Sequence, residues 1–160
     1  RSVEDSGGVV VVPALSGLGA PHWLPQARGV MTGLTFATTR AHIARAALEA
    51  MAAQTQDLAS AFAVDGATWR SLRIDGGMSA NDWMAQDIAN ILAIEVERPA
   101  MVETTALGAA MLAGVGAELF PDLAAAASTM RGDRQHFTPA MNEADRAARL
   151  NAWHRALAAV

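Results

Sequence analysis

Short β-branched runs alternate along this chain with longer stretches of helical spacing, and that alternation most limits what it can fold into. Val9–Val12 form a β-branched run closed by Pro13, and Gly29–Leu34 alternate around Val30, Thr32 and Leu34. Both spacings predict short strands. From Thr39, a plausible N-cap, the residues Ala44, Leu48, Met51, Thr55, Leu58 and Phe62 step by four and three. That spacing predicts one buried face of a long helix ending at Asp65-Gly66. Trp69–Ile74 then predict a strand, and Ser79 a cap for a helix carrying Met84, Ile88 and Ile91 on one face, with Asp82 in a capping-box position. A strand over Ile94–Val96 ending at Arg98-Pro99 and a helix from Glu103 to about Gly116 follow, the helix packed along Leu107, Ala110, Met111, Gly114 and Val115. A short helix over Leu119–Met130, an extended stretch over Gln135–Pro139 and a last helix capped by Asn142 complete the chain. Ala147, Leu150, Trp153 and Leu157 should face inward from that last helix. Strands and helices in this order argue for a layered α/β domain.

Composition narrows the class further. With 52% apolar and 18% charged residues, the 160-residue chain has enough apolar material for one buried core. The net charge of −4 argues against a nucleic-acid partner, which needs a basic face. Its basic residues other than histidine are all arginine, which excludes any mechanism here that uses a phosphate-binding lysine. With no cysteine, the chain holds no disulfide and no thiolate zinc site, as suits a reducing compartment such as the cytoplasm. No apolar run is long enough to span a membrane. The start, Arg1 to Gly8, lacks an initiator methionine and runs straight into a strand, which reads as the cut edge of a longer protein.

Three segments could carry chemistry. In Asp75-Gly76-Gly77-Met78-Ser79-Ala80-Asn81 a strand ends, two glycines turn the chain and a helix begins. Glycine admits φ > 0 and lets a ligand approach the backbone, and a helix start offers unpaired N–H groups. Asn81 could donate and accept toward a purine edge. The same residues also serve a tight turn with no ligand, and local chemistry alone leaves both readings open. Asp75 fits either a Mg²⁺–water shell or a turn held by its own side chain, with the turn favoured. Glu103-Thr104-Thr105-Ala106-Leu107-Gly108-Ala109-Ala110 suits either a helix start against the same pocket or close helix packing. Pro13–Trp23, rich in glycine and proline, reads as a rigid loop, anchored by Trp23 if it is purely structural. His22, His42, His136 and His154 show no metal-ligand spacing, and no metal-binding residues are assigned.

Taken in order, these segments resemble the FGGY carbohydrate kinases, and most closely the branch that phosphorylates glycerol. Pro13–Trp23, Ala27-Arg28-Gly29 with Gly33-Leu34-Thr35, His42–Glu49, Asp75-Gly76-Gly77 with Asn81 and Gln86, and Glu103 with Thr105–Ala110 all stand in register with that family's motifs. Leu24 departs from the aspartate usual after the tryptophan, His22 from a tyrosine, and Phe36-Ala37 from a more polar pair. The resemblance implies an actin-like, ribonuclease-H-like ATPase fold, with residues 1–160 forming most of its C-terminal domain. It implies that Gly76, Gly77 and Asn81 bind ATP, and that the γ-phosphoryl group passes with Mg²⁺ to a terminal hydroxyl of glycerol or a similar polyol. The aspartate base, the polyol-binding residues and the first phosphate loop are expected upstream of Arg1, so no catalytic residue is assigned. The full-length protein is expected to be a homo-oligomer without nucleic-acid or membrane partners. A xylulokinase-like enzyme or a non-catalytic actin-like nucleotide-binding module are the alternatives.

Overall fold

A computed structural model of the chain describes residues 2–160; Arg1, the first residue of the expected cut edge, lies outside them. Strands β1 (Val10–Val12) and β2 (Val30–Thr32) pair antiparallel, with Val11 opposite Met31. Helix α1 (Arg40–Val64) follows. Then come β3 (Ser71–Arg73), a single 3₁₀ turn over Gly77–Ala80, α2 (Asp82–Leu92) and β4 (Glu95–Pro99). Helices α3 (Thr104–Gly116) and α4 (Leu123–Met130), strand β5 (Arg134–Phe137) and helix α5 (Glu143–Leu157) complete the chain. The second sheet has the order β3-β4-β5, parallel between β3 and β4 and antiparallel between β4 and β5. The predicted α/β layering therefore stands.

All five predicted strand bounds shift by one or more residues, and at β3 and β4 the pairing gives the reason. Trp69 and Arg70 fall outside β3 because its ladder with β4 begins at Ser71, opposite Glu95; the Trp69 ring lies tilted against Phe62, with centroids 5.4 Å apart. Strand β4 runs through Arg98 to Pro99 because β5 pairs with it there, Gln135 opposite Arg98 and Arg134 opposite Pro99, whereas β3 pairs only with Glu95–Glu97. The proline therefore sits beyond that ladder, where its missing N–H removes no bond to β3.

Helix α1 corrects the predicted buried face. Ala44 and Phe62 are exposed, and Leu48, Met51, Thr55 and Leu58 are only half-buried. The buried line is Ala46, Ala50, Ala53 and Asp57, with Ala52 beside it. It lies two residues on, about 200° around the helix. Large apolar side chains suggested one stripe; close approach of neighbouring elements selected the alanines. Helix α3 differs in the same sense: Gly114 is buried, Leu107, Met111 and Val115 are half-buried, and Ala110 is exposed. In α5 Trp153 is buried, whereas Ala147, Leu150 and Leu157 are half-buried.

The core has two parts. One joins Met84, Ile88, Ile91 and Leu92 of α2 to Val96 and Phe137 of the three-stranded sheet. The other joins Val12, Ala14 and Leu18 to Ala50 and Ala53 of α1 and to Trp153 and Ala156 of α5. Met51 packs against both. An ion pair ties α2 to α5: Asp87, buried, accepts from both terminal nitrogens of Arg149 at 2.5 and 2.8 Å. Such a forked bond satisfies both carboxylate oxygens at once. Burial opposes the charge on Arg149, but its bonds and attraction to Asp87, with Glu49 nearby, win and raise its pKa above the ordinary arginine value.

Candidate functional site

The turn between β3 and α2 is built by a conformation that few residues tolerate. Gly76 has φ +82° and ψ 167°, a region essentially restricted to glycine. Its N–H donates to the Val102 carbonyl at 2.8 Å. Beside it, the Thr104 hydroxyl donates to the Asp75 carboxylate. The first two constellations predicted from sequence therefore meet: the end of β3 is fastened to the start of α3. Asp75 serves α3 rather than the backbone of its own turn.

Gly77 is different in kind. Its φ is not positive, and a Cβ added there would meet nothing within 4 Å. Neither backbone conformation nor packing among the described residues calls for glycine at this position. The N–H groups of Gly77 and Met78 have no hydrogen-bond partner among the described residues. The turn therefore presents bare backbone with free donors.

Ser79 is not the cap that its position predicts. It is buried, and its hydroxyl donates to the Gly76 carbonyl at 2.7 Å, closing the 3₁₀ turn on itself. Asn81 takes the N-cap of α2 instead, its Oδ1 accepting from the Met84 N–H at 3.2 Å. The Asn81 residue is exposed, and its Nδ2 has no partner among the described residues. One amide thus caps the helix with its oxygen and leaves two N–H donors facing outward. Asp82 does not complete a capping box; it binds Arg98 at 2.6 Å.

A cleft of about 360 Å³ lies beside the turn, between β3, β4 and α3. Asp75, Glu97, Thr104, Gly108, Arg131 and Arg134 line it, while Gly76, Gly77 and Asn81 lie outside its wall. Glu95, Glu97 and His136 bring three possible metal-ligand atoms within 4.8 Å of one another. Glu97 is already bonded to Arg73 at 3.1 Å and Arg134 at 2.8 Å, and these two cations oppose a third. Burial disfavours the charged form of Glu97, but the hydrogen bonds and attraction from Arg73 and Arg134 outweigh it and lower its pKa.

The third predicted segment packs elsewhere. Ala14 and Leu18 enter the core with α1 and α5. Trp23 does not anchor this loop, being 73% exposed. His22 does: its Nε2 lies 3.0 Å from the Asp57 carboxylate on α1. The same carboxylate accepts from Trp153 Nε1 at 2.8 Å and lies 3.4 Å from His154 Nε2. Sequence reasoning passed over Asp57. The available signal was an acid spaced four residues beyond Ala53, on the alanine face rather than on the face of larger side chains.

Residues 1–117 match the FGGY family of carbohydrate kinases, C-terminal domain. The chain belongs to that family. Glycerol kinase of Rhodospirillum centenum is 55% identical over 155 residues, covering 97% of this chain and 31% of the relative. Glycerol kinase of Gluconobacter oxydans is 51% identical over 156 residues, covering 97% of this chain and 30% of the relative. Among solved structures, Plasmodium falciparum glycerol kinase with ADP superposes with a TM-score of 0.82 at 35% identity, covering 99% of this chain and 32% of that one. A xylulose kinase from Rhodospirillum rubrum gives 0.65 at 28% identity, covering 96% and 30%. This FGGY chain thus spans about a third of the length of the curated relatives it matches. Among its described residues no helix is long and apolar enough to cross a membrane.

Proposed function

We propose that this chain is the nucleotide-holding part of an ATP-dependent glycerol kinase, with Gly76, Gly77 and Asn81 at the adenine nucleotide. The observation that carries this reading is Gly77, a glycine that neither the turn's conformation nor its packing requires. A ligand drawn against bare backbone supplies the missing reason. The free N–H groups of Gly77, Met78 and Asn81 Nδ2 suit the acceptor-rich edge of a purine or the oxygens of a phosphate. Support also comes from the matched relatives, which are named glycerol kinases at 51–55% identity, against 28% for the xylulose kinase.

ATP supplies the γ-phosphoryl group in this reading, and Mg²⁺ offsets the charge that develops on it. Phosphoryl transfer depends mostly on positioning and charge stabilisation. The residues of this chain contribute the positioning: they fix one end of the nucleotide so that its phosphates point consistently toward the acceptor hydroxyl. Mg²⁺ would be held chiefly by the nucleotide's phosphates and by water, as suits its reluctance to dehydrate, and no residue of this chain is assigned to it. In this reading the protein works in the cytoplasm as a homo-oligomer, without a nucleic-acid or membrane partner, and this chain is most of its C-terminal domain.

The test is Gly77→Val and Asn81→Ala in the full-length protein. Gly77→Val is expected to weaken ADP binding by calorimetry by about tenfold or more while leaving the thermal midpoint nearly unchanged. Asn81→Ala is expected to weaken ADP binding and also to cost about 1 kcal/mol of stability through the lost cap. Unaltered ADP affinity in both variants would refute the site. In a panel of polyols and sugars, preference for xylulose over glycerol would refute the substrate.

A further inference from the structure

The 3₁₀ turn that carries the proposed nucleotide residues is short and held by few bonds of its own. It has four residues, begins at a glycine pair and relies on short-range i→i+3 bonds. Such turns have poorer hydrogen-bond geometry than α-helix, and glycine adds backbone freedom. A rigid anchor outside the turn would narrow its conformations further.

Arg98 provides that anchor from the neighbouring strand. Its Nη1 donates at 2.6 Å to the carbonyl of Ser79, the third residue of the turn. Its Nη2 donates to Asp82 Oδ1 at 2.6 Å and to Gln135 Oε1 at 2.5 Å. Its side chain is only 11% exposed, and the guanidinium lies over the buried ring of Phe137, 5.2 Å from the centroid. The guanidinium is therefore held by β4, β5 and an aromatic face. One terminal nitrogen holds the turn at Ser79, and the other is shared between Asp82, the first residue of α2, and Gln135 of β5, so that the fork reaches both sides of Asn81.

We propose that Arg98 is a positioning residue for the nucleotide: it touches no ligand itself but sets where Gly77 and Asn81 stand. The proposal rests on the reading that these two residues hold the nucleotide. The planar guanidinium reaches three acceptors in fixed directions, which a single ammonium cannot do. Misplacement of a binding group by about 1 Å costs as much as two orders of magnitude in rate, so the fork bears directly on function.

The experiment uses the full-length protein with ADP as the probe, measured by calorimetry, beside the KM values for ATP and glycerol. Arg98→Met is expected to raise the ADP dissociation constant and the KM for ATP by on the order of tenfold, leaving the KM for glycerol unchanged. Arg98→Lys should recover part of that loss by reaching one acceptor. Should Arg98→Met not fold, Gln135→Ala removes one anchor while leaving the charge in place, and should weaken ADP binding several-fold in a folded protein. A merely structural Arg98 would lower the thermal midpoint and leave ADP affinity intact. Intact ADP affinity in Arg98→Lys and Gln135→Ala, with Gly77→Val still weakened, overturns the proposal and leaves the nucleotide reading standing. Intact affinity in Gly77→Val as well overturns both.

Discussion

Asp57 shows how much one buried side chain can organise. It is 8% exposed and accepts from Trp153, with His22 and His154 at the same carboxylate. These partners come from the loop before β2 and from α5, so Asp57 joins three parts of the chain. Removing it would leave the buried indole N–H of Trp153 without an acceptor. Asp57→Ala is expected to cost about 2–3 kcal/mol in urea unfolding, the range for a lost bond to a charged group plus an orphaned donor. Asp57→Asn keeps an acceptor oxygen and should cost less. An unchanged midpoint for the alanine variant would show that the cluster does not hold the loop. The acid itself is plain in the sequence, but its partners are not: Trp153 lies 96 positions away.

At the scale of elements, the three-stranded sheet gathers charge on one face. Arg73 of β3, Glu97 of β4 and Arg134 of β5 meet across two ladders. Glu97 has a lowered pKa in the folded chain, so the unfolded chain binds its proton more readily. Its contribution to stability is therefore fully present above the unfolded glutamate pKa, about 4.3, and is lost as pH falls through the lower folded value. Acidification below about pH 4.3 should lower the thermal midpoint of the native chain more than that of Glu97→Gln. Parallel midpoint curves for the two proteins would contradict this. The elements themselves were largely visible in advance: α2 buries Met84, Ile88 and Ile91 as its spacing predicts, and Asn142 caps α5. The face of α1 was not, because alanine carries too little hydrophobic weight to mark a stripe. Its burial follows from how closely neighbouring elements can approach.

Across the whole molecule, the proposed nucleotide turn lies against the sheet-and-α2 core, and the glycine- and proline-rich loop lies against the α1–α5 core. No histidine is placed at the turn. His22 and His154 attend Asp57, His42 bonds Thr39, and His136 bonds Glu95. Asp75, the carboxylate at the turn, is engaged by Thr104. The 160-residue chain covers about a third of the length of the glycerol kinases it matches, so alone it is expected to show no ATP-dependent glycerol phosphorylation in a coupled assay; measurable turnover would contradict this.

The sequence alone determined the order of strands and helices, most helix ends and the motifs that mark the family, because each rests on neighbours a few residues apart. It also marked Gly76, Gly77 and Asn81, but could not separate a turn from a ligand site. The tertiary structure separated the two glycines: Gly76 is demanded by its backbone angles, Gly77 by nothing in the described fold. It alone moved the cap from Ser79 to Asn81, buried Asp57 beneath Trp153 and brought Arg98 onto the turn with Gln135, 37 positions on. Those outcomes depend on which surfaces meet after the chain has folded back on itself, and local spacing carries no record of that.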